Sequence, residues 1–260
     1  MSRAGGKLRS RPRAGHPWRT KPRTWEVFPL QAVCIIPAFN EESTIAEVVK
    51  GALKYCDTVI VIDDCSEDLT ADLSLRSGAR VVTHILHLGT GAALFTGFKA
   101  ALGMDANVFV TIDGDGQHDP TDIPNLLEPI RNDEADIVIG SRLLGRRGSM
   151  PLHKWIGNKV LSRATSLASG VCVRDSQSGF RAYKRTVLDF AMHRRRDYGW
   201  ASEILILTAK GNFRMREVPV RTIYTVRKKK GARIEDGFKI LYTVIRPKSS
   251  ARQTMNPGEI

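Results

Sequence analysis

Long apolar runs are absent from this 260-residue sequence, and no stretch approaches the roughly 20 apolar residues that a helix needs to span a bilayer. The sequence therefore predicts no transmembrane helix. Cysteine is scarce, and Cys34, Cys56, Cys65 and Cys172 show neither metal-ligand spacing nor a paired framework. Such thiols are typical of a reducing compartment, so we expect a cytoplasmic protein. The hydrophobic share of 42% is sufficient for a globular core.

Acidic residues are missing from residues 1–25, which carry eight Lys and Arg side chains and few large apolar residues. Such a segment cannot bury enough surface to offset its ordering entropy, so we expect a disordered basic tail. No apolar segment typical of a signal peptide follows it. The tail is either a solvated extension or a contact for anionic lipid headgroups, worth about 1 kcal/mol per basic residue.

The remaining chain is only mildly basic, because subtracting the eight tail residues from the formal net charge of +13 leaves +5. A nucleic-acid-binding protein is an alternative that the overall charge suggests. That class would carry its basic residues spread over one face with aromatic residues for base stacking, whereas here the charge is concentrated in the tail. We therefore expect no nucleic-acid partner.

Short apolar runs alternate with helical patterns in the first half of the chain after the tail. The predicted strands are 32–36, 57–62, 80–84, 107–112 and 136–139, and the predicted helices are 40–55, 70–77, 89–102 and 121–130. This alternation predicts an α/β fold with a mostly parallel sheet covered on both faces. The second half is less regular, with predicted helices at 152–169, 187–193, 200–209 and 235–245 and a strand at 213–220.

Acidic residues follow two of the predicted strands, at Asp63-Asp64 and at Asp113 and Asp115. In parallel sheets, ligands bind at the carboxyl ends of the strands. The pair Asp113 and Asp115, with Gln117, offers oxygen ligands that suit Mg²⁺ or Mn²⁺. The alternative is an acidic turn that caps the next helix. The apolar strand before the motif and the helix start after it favour the metal.

Three further groups are candidates for contact with a nucleotide. The side chain of Asp64 can accept hydrogen bonds from a ribose, Phe39 can stack on a base, and Glu41 can bind either group. The alternatives are helix caps, with Asn40 and the acidic pair beginning the helices that follow. Arg142 follows the fifth strand directly and can bind phosphate through its two-donor fork.

Several motifs resemble family 2 glycosyltransferases of the GT-A fold. VCIIPAFNEE (33–42) resembles their opening, DDCSED (63–68) their second nucleotide motif, DGDGQ (113–117) their metal motif and GSR (140–142) the segment after it. DSQSGFRAY (175–183) is similar to the polyprenyl-phosphate hexosyltransferases of the dolichyl-phosphate mannose synthase type. The resemblance covers about residues 31–245.

The resemblance implies one GT-A domain at 26–245, with a nucleotide-sugar half at about 30–142, an acceptor half at about 143–245 and a flexible tail at 246–260. It implies inverting, metal-dependent transfer of a hexose from GDP-mannose, UDP-glucose or UDP-N-acetylglucosamine to dolichyl or polyprenyl phosphate. The alternative is an enzyme that extends a glycan. Such an enzyme needs an acidic general base, for which Glu203 is the candidate.

The resemblance also assigns site residues. The nucleotide-sugar-binding set is Pro37, Phe39, Glu41, Ile62, Asp64, Asp113, Gly114, Asp115, Gln117, Arg142, Arg227 and Arg233. The metal ligands are Asp113, Asp115 and Gln117, and the catalytic residues are Asp115 and Arg142. Ser176, Gln177 and Ser178 lie near the sugar and the acceptor phosphate, and charge and placement add Lys159 and Arg163. Departures from the family pattern are Phe39 for Tyr, Cys65 for Gly, His87 for Asn, Thr90 for Lys, and Asp-Gly-Asp-Gly for Asp-Ala-Asp-Leu.

A lipid acceptor implies a membrane surface as a partner. The segment 152–169 interleaves Trp155, Ile156 and Leu161 with Lys154, Lys159 and Arg163, which suits a helix lying in the interface. The alternative is an ordinary helix packed on the sheet. The expected partners are thus a nucleotide sugar, a polyprenyl phosphate, the anionic cytoplasmic face of a membrane and a separate membrane-anchoring subunit.

Overall fold

The computed structural model of the chain describes residues 30–144, 152–194 and 200–223. Its strands are β1 (Ala32–Ala38), β2 (Thr58–Asp63), β3 (Arg80–Thr83), β4 (Val108–Thr111), β5 (Ile137–Ser141), β6 (Arg181–Lys184) and β7 (Met215–Pro219). The helices in this part of the chain are α1 (Ile45–Ala52), α2 (Thr70–Arg76), α3 (Thr90–Leu102), α4 (Ile123–Arg131), α5 (Leu152–Ser169), α6 (Arg185–Arg194) and α7 (Trp200–Lys210), and a 3-10 turn spans Pro120–Asp122.

All seven strands form one sheet in the order β3-β2-β1-β4-β6-β5-β7. Every neighbouring pair is parallel except those that involve β6, which is antiparallel to both β4 and β5. The predicted α/β fold with a mostly parallel sheet is therefore confirmed. Because β6 and β7 join the sheet of the first five strands, the two halves of the sequence share one framework.

The sheet is buried on both faces, as the continuous apolar runs predicted. Along β1, Cys34 and Ile36 belong to the core on the side of α1 and α4, whereas Val33 and Ile35 belong to the core on the side of α3. Helix α3 lies very close to β1, because a Cβ added at Gly97 would fall 2.4 Å from Ile35 Cγ2. This packing fixes the first turn of α3 at the carboxyl edge of the sheet.

Strand β6 was missed by the sequence analysis, which assigned no strand to these four residues. Two of its residues are basic, which hides the apolar pattern of a central strand. Arg181 is buried and hydrogen-bonds to backbone carbonyls, and Lys184 forms ion pairs with Asp133 and Asp136. Charged side chains are buried in such strands when they are paired, and the sequence alone does not reveal the pairing.

The predicted end of β1 at Pro37 was wrong, since the strand continues to Ala38. The carbonyl of Pro37 accepts a hydrogen bond from Gly114 N–H on the side of β4, beyond the last paired residue of that strand. A proline is tolerated there because the missing N–H faces no strand partner. The predicted start of the next helix at Asn40 was also wrong, because Asn40 has φ 55° and α1 begins at Ile45.

Helix α5 lies at the carboxyl edge of the parallel strands. It follows β5, which ends at that edge, and precedes β6, which begins there because it runs antiparallel. The connection therefore starts and finishes on the same side of the sheet, and α5 packs against α7. Within the described ranges, no helix has the length and apolar character required to cross a membrane.

Some sequence predictions lie outside the described residues. They are the basic tail 1–25, Arg227, Arg233, the helix 235–245 and the tail 246–260.

Candidate active site

A cavity of ≈ 970 Å³ opens at the carboxyl edge of the sheet. Three segments that carry predicted site residues meet around it: the loop after β1, the acidic motif after β4 and the segment that contains Gln177 and Ser178. Among the predicted residues that line it are Pro37, Phe39, Glu41, Asp64, Asp113, Gly114, Asp115, Gln177 and Ser178. The structure thus brings the motifs predicted to bind the nucleotide, the metal and the sugar to the wall of one cavity.

Asp113 lies at the floor of this cavity, in direct contact with the segment before β6. A Cβ added at Gly179 would fall 2.6 Å from Asp113 Oδ2 and 2.8 Å from Oδ1. The hydroxyl of Thr111 donates a hydrogen bond to the Gly179 carbonyl at 2.7 Å, which holds the two segments together. Gly179 is therefore required by close approach, and only glycine leaves room for this carboxylate.

Gly179→Ala should move the Asp113 carboxylate and lower the rate of the sugar transfer that the sequence predicts about tenfold, because small displacements of reacting groups are costly. The fold should remain, since the methyl group meets a side chain at the cavity wall. Gly157→Ala is the control, because a Cβ at Gly157 meets nothing within 4 Å. Equal steady-state kinetic constants for both variants and the unsubstituted protein would contradict this packing.

The electrostatic environment of Asp113 suits a cation. Burial raises the pKa of the Asp113 carboxyl above its usual range, although the positive charges of Arg142 and Arg181 counteract this effect. Its negative charge is therefore incompletely compensated by the protein. In the described part of the chain, no three His, Cys, Asp or Glu side chains converge to hold a metal ion. A cation at Asp113 and Asp115 would need further oxygen ligands from a substrate, which is the usual behaviour of Mg²⁺.

The acidic motif is also tied to the loop after β1. The Thr44 hydroxyl donates to the Gly114 carbonyl at 2.8 Å, and Gln117 N–H donates to Asp115 Oδ1 at 3.0 Å. The alternative role of this motif as a helix cap is wrong, because Asp119 provides the cap by accepting from Thr121 N–H. The motif therefore leaves Asp113 and Asp115 at the cavity wall.

Arg142 is held in one orientation by a buried carboxylate. Its Nε and Nη2 donate to the two oxygens of Asp175 at 2.8 Å and 2.7 Å, and its backbone N–H donates to the same group at 3.0 Å. Glu217 on β7 accepts hydrogen bonds from the backbone N–H groups of Arg174 and Asp175. Burial raises the pKa of the Glu217 carboxyl, whereas these N–H groups lower it. A chain of contacts from β7 thus fixes the predicted phosphate-binding arginine.

Asp64 binds the protein rather than presenting a free carboxylate. It accepts from Leu88 N–H at 3.0 Å and Gly89 N–H at 2.6 Å, and it contacts ring nitrogens of His84 and His87 at 2.7 Å and 3.0 Å. Although burial opposes the shift, these hydrogen bonds hold the pKa of Asp64 below its usual range. Its main structural role is therefore to hold the loop after β3 against the cavity.

The alternative assignment of Asp63-Asp64 as a cap for the next helix is wrong, because Asp68 is the residue that accepts from Thr70 N–H at the start of α2, whereas Asp63 accepts from Ser66 N–H in the turn before it. At the rim, the rings of Phe39 and His87 lie 4.0 Å apart at 32°. Phe39 is 40% exposed, so one face of this aromatic pair remains available for stacking.

The other predicted site residues are less directly placed. Ile62 is fully buried below the cavity and does not line it. Ser176 and Ser178 are also buried, and the Ser176 hydroxyl contacts Ser162 and Thr165 of α5, so that it joins the helix to the loop.

Lys159 and Arg163 are exposed on α5, outside the cavity wall, and their assignment to the acceptor phosphate stays a prediction. Gln117 and Arg142 lie beside the lining residues.

His118 is a buried histidine next to the acidic motif, 3% exposed and 5.1 Å from the ring of Phe180. Burial and the charge of Arg142 lower its pKa to about 4, although nearby carboxylates oppose this shift. The unfolded chain, with a histidine pKa of about 6.5, takes up this proton at a higher pH. Between these two values the unfolded state binds more protons, so acidification destabilises the fold.

When the pH is lowered from 7 to 5, we therefore expect protonation of His118 in the unfolded state to reduce the free energy of unfolding by about 2 kcal/mol. The His118→Phe variant should lose this part of the pH dependence, because it cannot bind the proton. Urea unfolding of both proteins at the two pH values measures the difference. Parallel pH profiles for the two proteins would show that His118 titrates normally in the folded state.

Sequence reasoning missed three residues of the site. Arg181 lines the cavity and donates to the carbonyls of Ser176 and Ser178 at 2.6 Å and 2.7 Å, and Gly179 contacts Asp113. Both lie inside the 175–183 motif, which was the available signal. Glu217 had no signal, because an acid in an alternating strand pattern is normally solvated.

Comparisons with known proteins agree with this geometry. A family model described as "Glycosyl transferase family 2" matches residues 33–190. The chain is 36% identical to a UDP-N-acetylglucosamine–dolichyl-phosphate N-acetylglucosaminyltransferase of Methanococcus voltae, over 81% of this chain and 93% of the relative. It is 32% identical to an undecaprenyl-phosphate mannosyltransferase of Micrococcus luteus, over 74% of this chain and 83% of the relative.

The fold is similar to that of a solved enzyme. Glucosyl-3-phosphoglycerate synthase of Mycobacterium tuberculosis, crystallised with phosphoglyceric acid, matches with a TM-score of 0.63 and 25% identity, over 84% of this chain and 78% of that one. Other crystals of that enzyme contain Mn²⁺ and UDP-glucose, or Mg²⁺ and UDP, and their 24% identity supports the fold alone.

Proposed function

The chain belongs to glycosyl transferase family 2 and is a glycosyltransferase of the GT-A fold, and from this premise we propose that it transfers a hexose from a nucleotide sugar to a polyprenyl or dolichyl phosphate. The observation that carries the proposal is the meeting of Asp113, Asp115 and the 177–181 segment at one cavity. The lipid acceptor is supported by the names of the two relatives, both of which cover most of this chain.

The donor is expected to lie along the cavity with its base at the aromatic rim and its diphosphate at the acidic motif. Phe39 and His87 offer a stacking surface at one end, and stacking on an aromatic side chain is worth about 1–3 kcal/mol. Asp113 and Asp115 mark the other end, and the sugar would then face the 177–179 segment.

The resemblance also assigns Arg227 and Arg233 to the donor diphosphate, and both lie outside the described residues. The described chain ends beside the acidic motif, where Ile223 N–H donates to the Gln117 carbonyl at 2.8 Å. Arg227 and Arg233 would add positive charge where the leaving group departs.

The reaction we propose is an in-line displacement with inversion. An oxygen of the acceptor phosphate forms a bond to the anomeric carbon, and the bond from that carbon to the diphosphate breaks. The nucleoside diphosphate leaves with the bonding electron pair. Because the phosphate is already ionised near neutral pH, the reaction needs no general base, unlike transfer to a sugar hydroxyl.

The residues at the cavity fit this chemistry. Asp113, Asp115 and Gln117 would hold Mg²⁺ or Mn²⁺, which would neutralise charge that develops on the leaving diphosphate. Arg142, oriented by Asp175, would bind a phosphate oxygen as the charge grows. Glu203, the candidate general base for a glycan-extending enzyme, is not among the cavity-lining residues, which favours the phosphate acceptor.

A lipid acceptor requires contact with a membrane, and α5 has suitable features. Ile156, Val160 and Leu167 are 50%, 53% and 87% exposed. Lys159 and Arg163 are exposed between them, and the helix carries no acidic residue. Trp155 and Leu161, which the sequence analysis also placed in this contact, are instead partly buried. We propose that α5 lies on the lipid surface with the basic residues at the headgroups.

A panel of labelled nucleotide sugars, incubated with dolichyl phosphate and Mn²⁺, tests the proposed function. One donor should give label in the organic phase, and EDTA should abolish the signal. Parallel reactions with soluble phosphate acceptors provide the comparison. If label appears only on soluble acceptors, the lipid assignment is wrong, and if no donor supports transfer to any acceptor, the donor assignment is wrong.

A further inference from the structure

The loop between β3 and α3 exposes three aliphatic side chains in four residues. Ile85 is 92% exposed, Leu86 64% and Leu88 56%. Isolated exposed leucines are ordinary, but a contiguous apolar patch marks a site of contact with a protein or a membrane. We call residues 85–88 the aliphatic loop.

The exposure of the aliphatic loop is built into the fold. Asp64 holds this loop at both ends, since His84 just before the loop contacts Asp64 and Thr96 at 2.7 Å and 2.9 Å, and the half-exposed His87 contacts Asp64 at 3.0 Å. The backbone N–H of Leu88 is also bound to Asp64. These four contacts hold the loop in place while its three aliphatic side chains lie in water, the reverse of the usual arrangement.

Topology places this loop on the same edge of the sheet as α5. The loop follows the carboxyl end of β3, and α5 lies between the carboxyl end of β5 and the start of antiparallel β6. In the strand order, β3 and β5 are separated by β2, β1, β4 and β6, which corresponds to about 24 Å at the usual strand spacing. The cavity is lined by His87 and Gly89 on the side of the loop and by Gln177 and Ser178, which follow α5, so it lies between the two apolar groups along this edge.

We propose that the aliphatic loop is a second membrane-insertion element, which enters the lipid surface together with α5 and sets the cavity mouth against the headgroups. A bilayer fits these observations better than a folded partner, because the α5 group combines exposed aliphatic residues with Lys159 and Arg163 and lacks acids, the pattern that suits anionic lipid. The loop itself carries no acidic or strongly basic side chain. The purpose of this contact, delivery of a lipid phosphate to the cavity, rests on the proposed function.

Vesicle flotation of the full-length chain tests the proposal. The vesicles contain phosphatidylcholine with a minor share of phosphatidylglycerol and no acceptor lipid, and high salt screens the basic tail. Leu86→Asp and Ile85→Asp should each reduce the bound fraction, with an apparent partition coefficient about tenfold lower than that of the parent protein. Leu75→Asp is the matched control, since Leu75 is 63% exposed but lies in the last turn of α2. That turn leads into the amino end of β3, whereas the aliphatic loop follows the carboxyl end of the same strand.

Nucleotide binding by each variant, measured by calorimetry, confirms that the cavity is intact, because neither Ile85 nor Leu86 lines it. Flotation of Leu86→Asp and Ile85→Asp equal to that of Leu75→Asp would overturn the proposal. A dimer that both loop variants dissociate, with unchanged flotation, would also overturn it by showing that a second copy covers the loop. Loop-dependent flotation without transfer to dolichyl phosphate would contradict the proposed function alone.

Discussion

Replacing Asp115 with asparagine should lower the rate of sugar transfer by at least about 1000-fold while the fold remains intact. The substitution preserves the shape of the side chain and removes the negative charge that a divalent cation requires. Loss of a preorganised electrostatic group at a leaving group costs about 100- to 1000-fold, and loss of the cation removes several kcal/mol of charge stabilisation. The rate is measured as label transferred per minute at saturating donor and Mn²⁺.

Asp105→Asn is the matched control for this experiment. Asp105 is exposed in the connection that leads into β4, whereas Asp115 follows the other end of the same strand. The control should transfer sugar at the parental rate. If Asp115→Asn retained full activity in excess EDTA, a cation would have no part in the reaction.

Asp175→Asn should lower the transfer rate about 100-fold and also destabilise the fold. Asp175 is fully buried, and it accepts three hydrogen bonds from Arg142. An asparagine would place an amide N–H₂ against the guanidinium group, so that one charge is left without its partner. Removing one member of a buried pair costs about 3–5 kcal/mol, and a displaced arginine costs about 100-fold in rate.

Asp136→Asn separates the two effects. Asp136 is ion-paired with Arg214 and Lys184 at 2.9 Å, and it lies at the amino end of β5, away from the cavity. The Asp136→Asn variant should have a lower free energy of unfolding without a comparable loss of transfer rate. Urea unfolding and transfer kinetics of both variants give the comparison. Equal rates for Asp175→Asn and Asp136→Asn, after correction for the folded fraction, would show that Asp175 has no role in orienting Arg142.

Much of the fold follows from local patterns. Strands β1, β2 and β4 are apolar on both faces, and each is followed by helical spacing, which together specify a parallel sheet. The sequence places Asp113 and Asp115 at the carboxyl edge of the sheet because they follow an apolar strand, and in the structure they line the cavity at that edge. Such inferences need only sequence neighbours and the chemistry of the side chains.

The parts that escaped prediction depend on distant contacts. The strand at β6 is recognisable only when Arg181 has backbone carbonyls to bind and Lys184 has its acidic partners. The contacts of the Asp64 carboxylate with Leu88 and Gly89 N–H, which hold the loop 84–89, also join residues more than 20 positions apart. Glu217 acts on residues more than 40 positions away, at Arg174 and Asp175, and no local pattern records that contact.

The exposure of the aliphatic loop also could not be predicted from the sequence alone. Residues 85–88 look like part of an ordinary apolar segment beside a strand. Only the structure shows that these aliphatic side chains are exposed while His84 and His87 contact Asp64. The direction of a loop side chain depends on the carboxylate that organises the backbone, here Asp64.

A crystal of the full-length enzyme with Mn²⁺ and its nucleotide sugar would test how the acidic motif works, through anomalous diffraction at the manganese edge. We expect one strong peak within coordination distance of the Asp113 and Asp115 carboxylates and of two phosphate oxygens of the donor. A bound donor whose diphosphate lies elsewhere, with no anomalous peak beside these carboxylates, would contradict the mechanism.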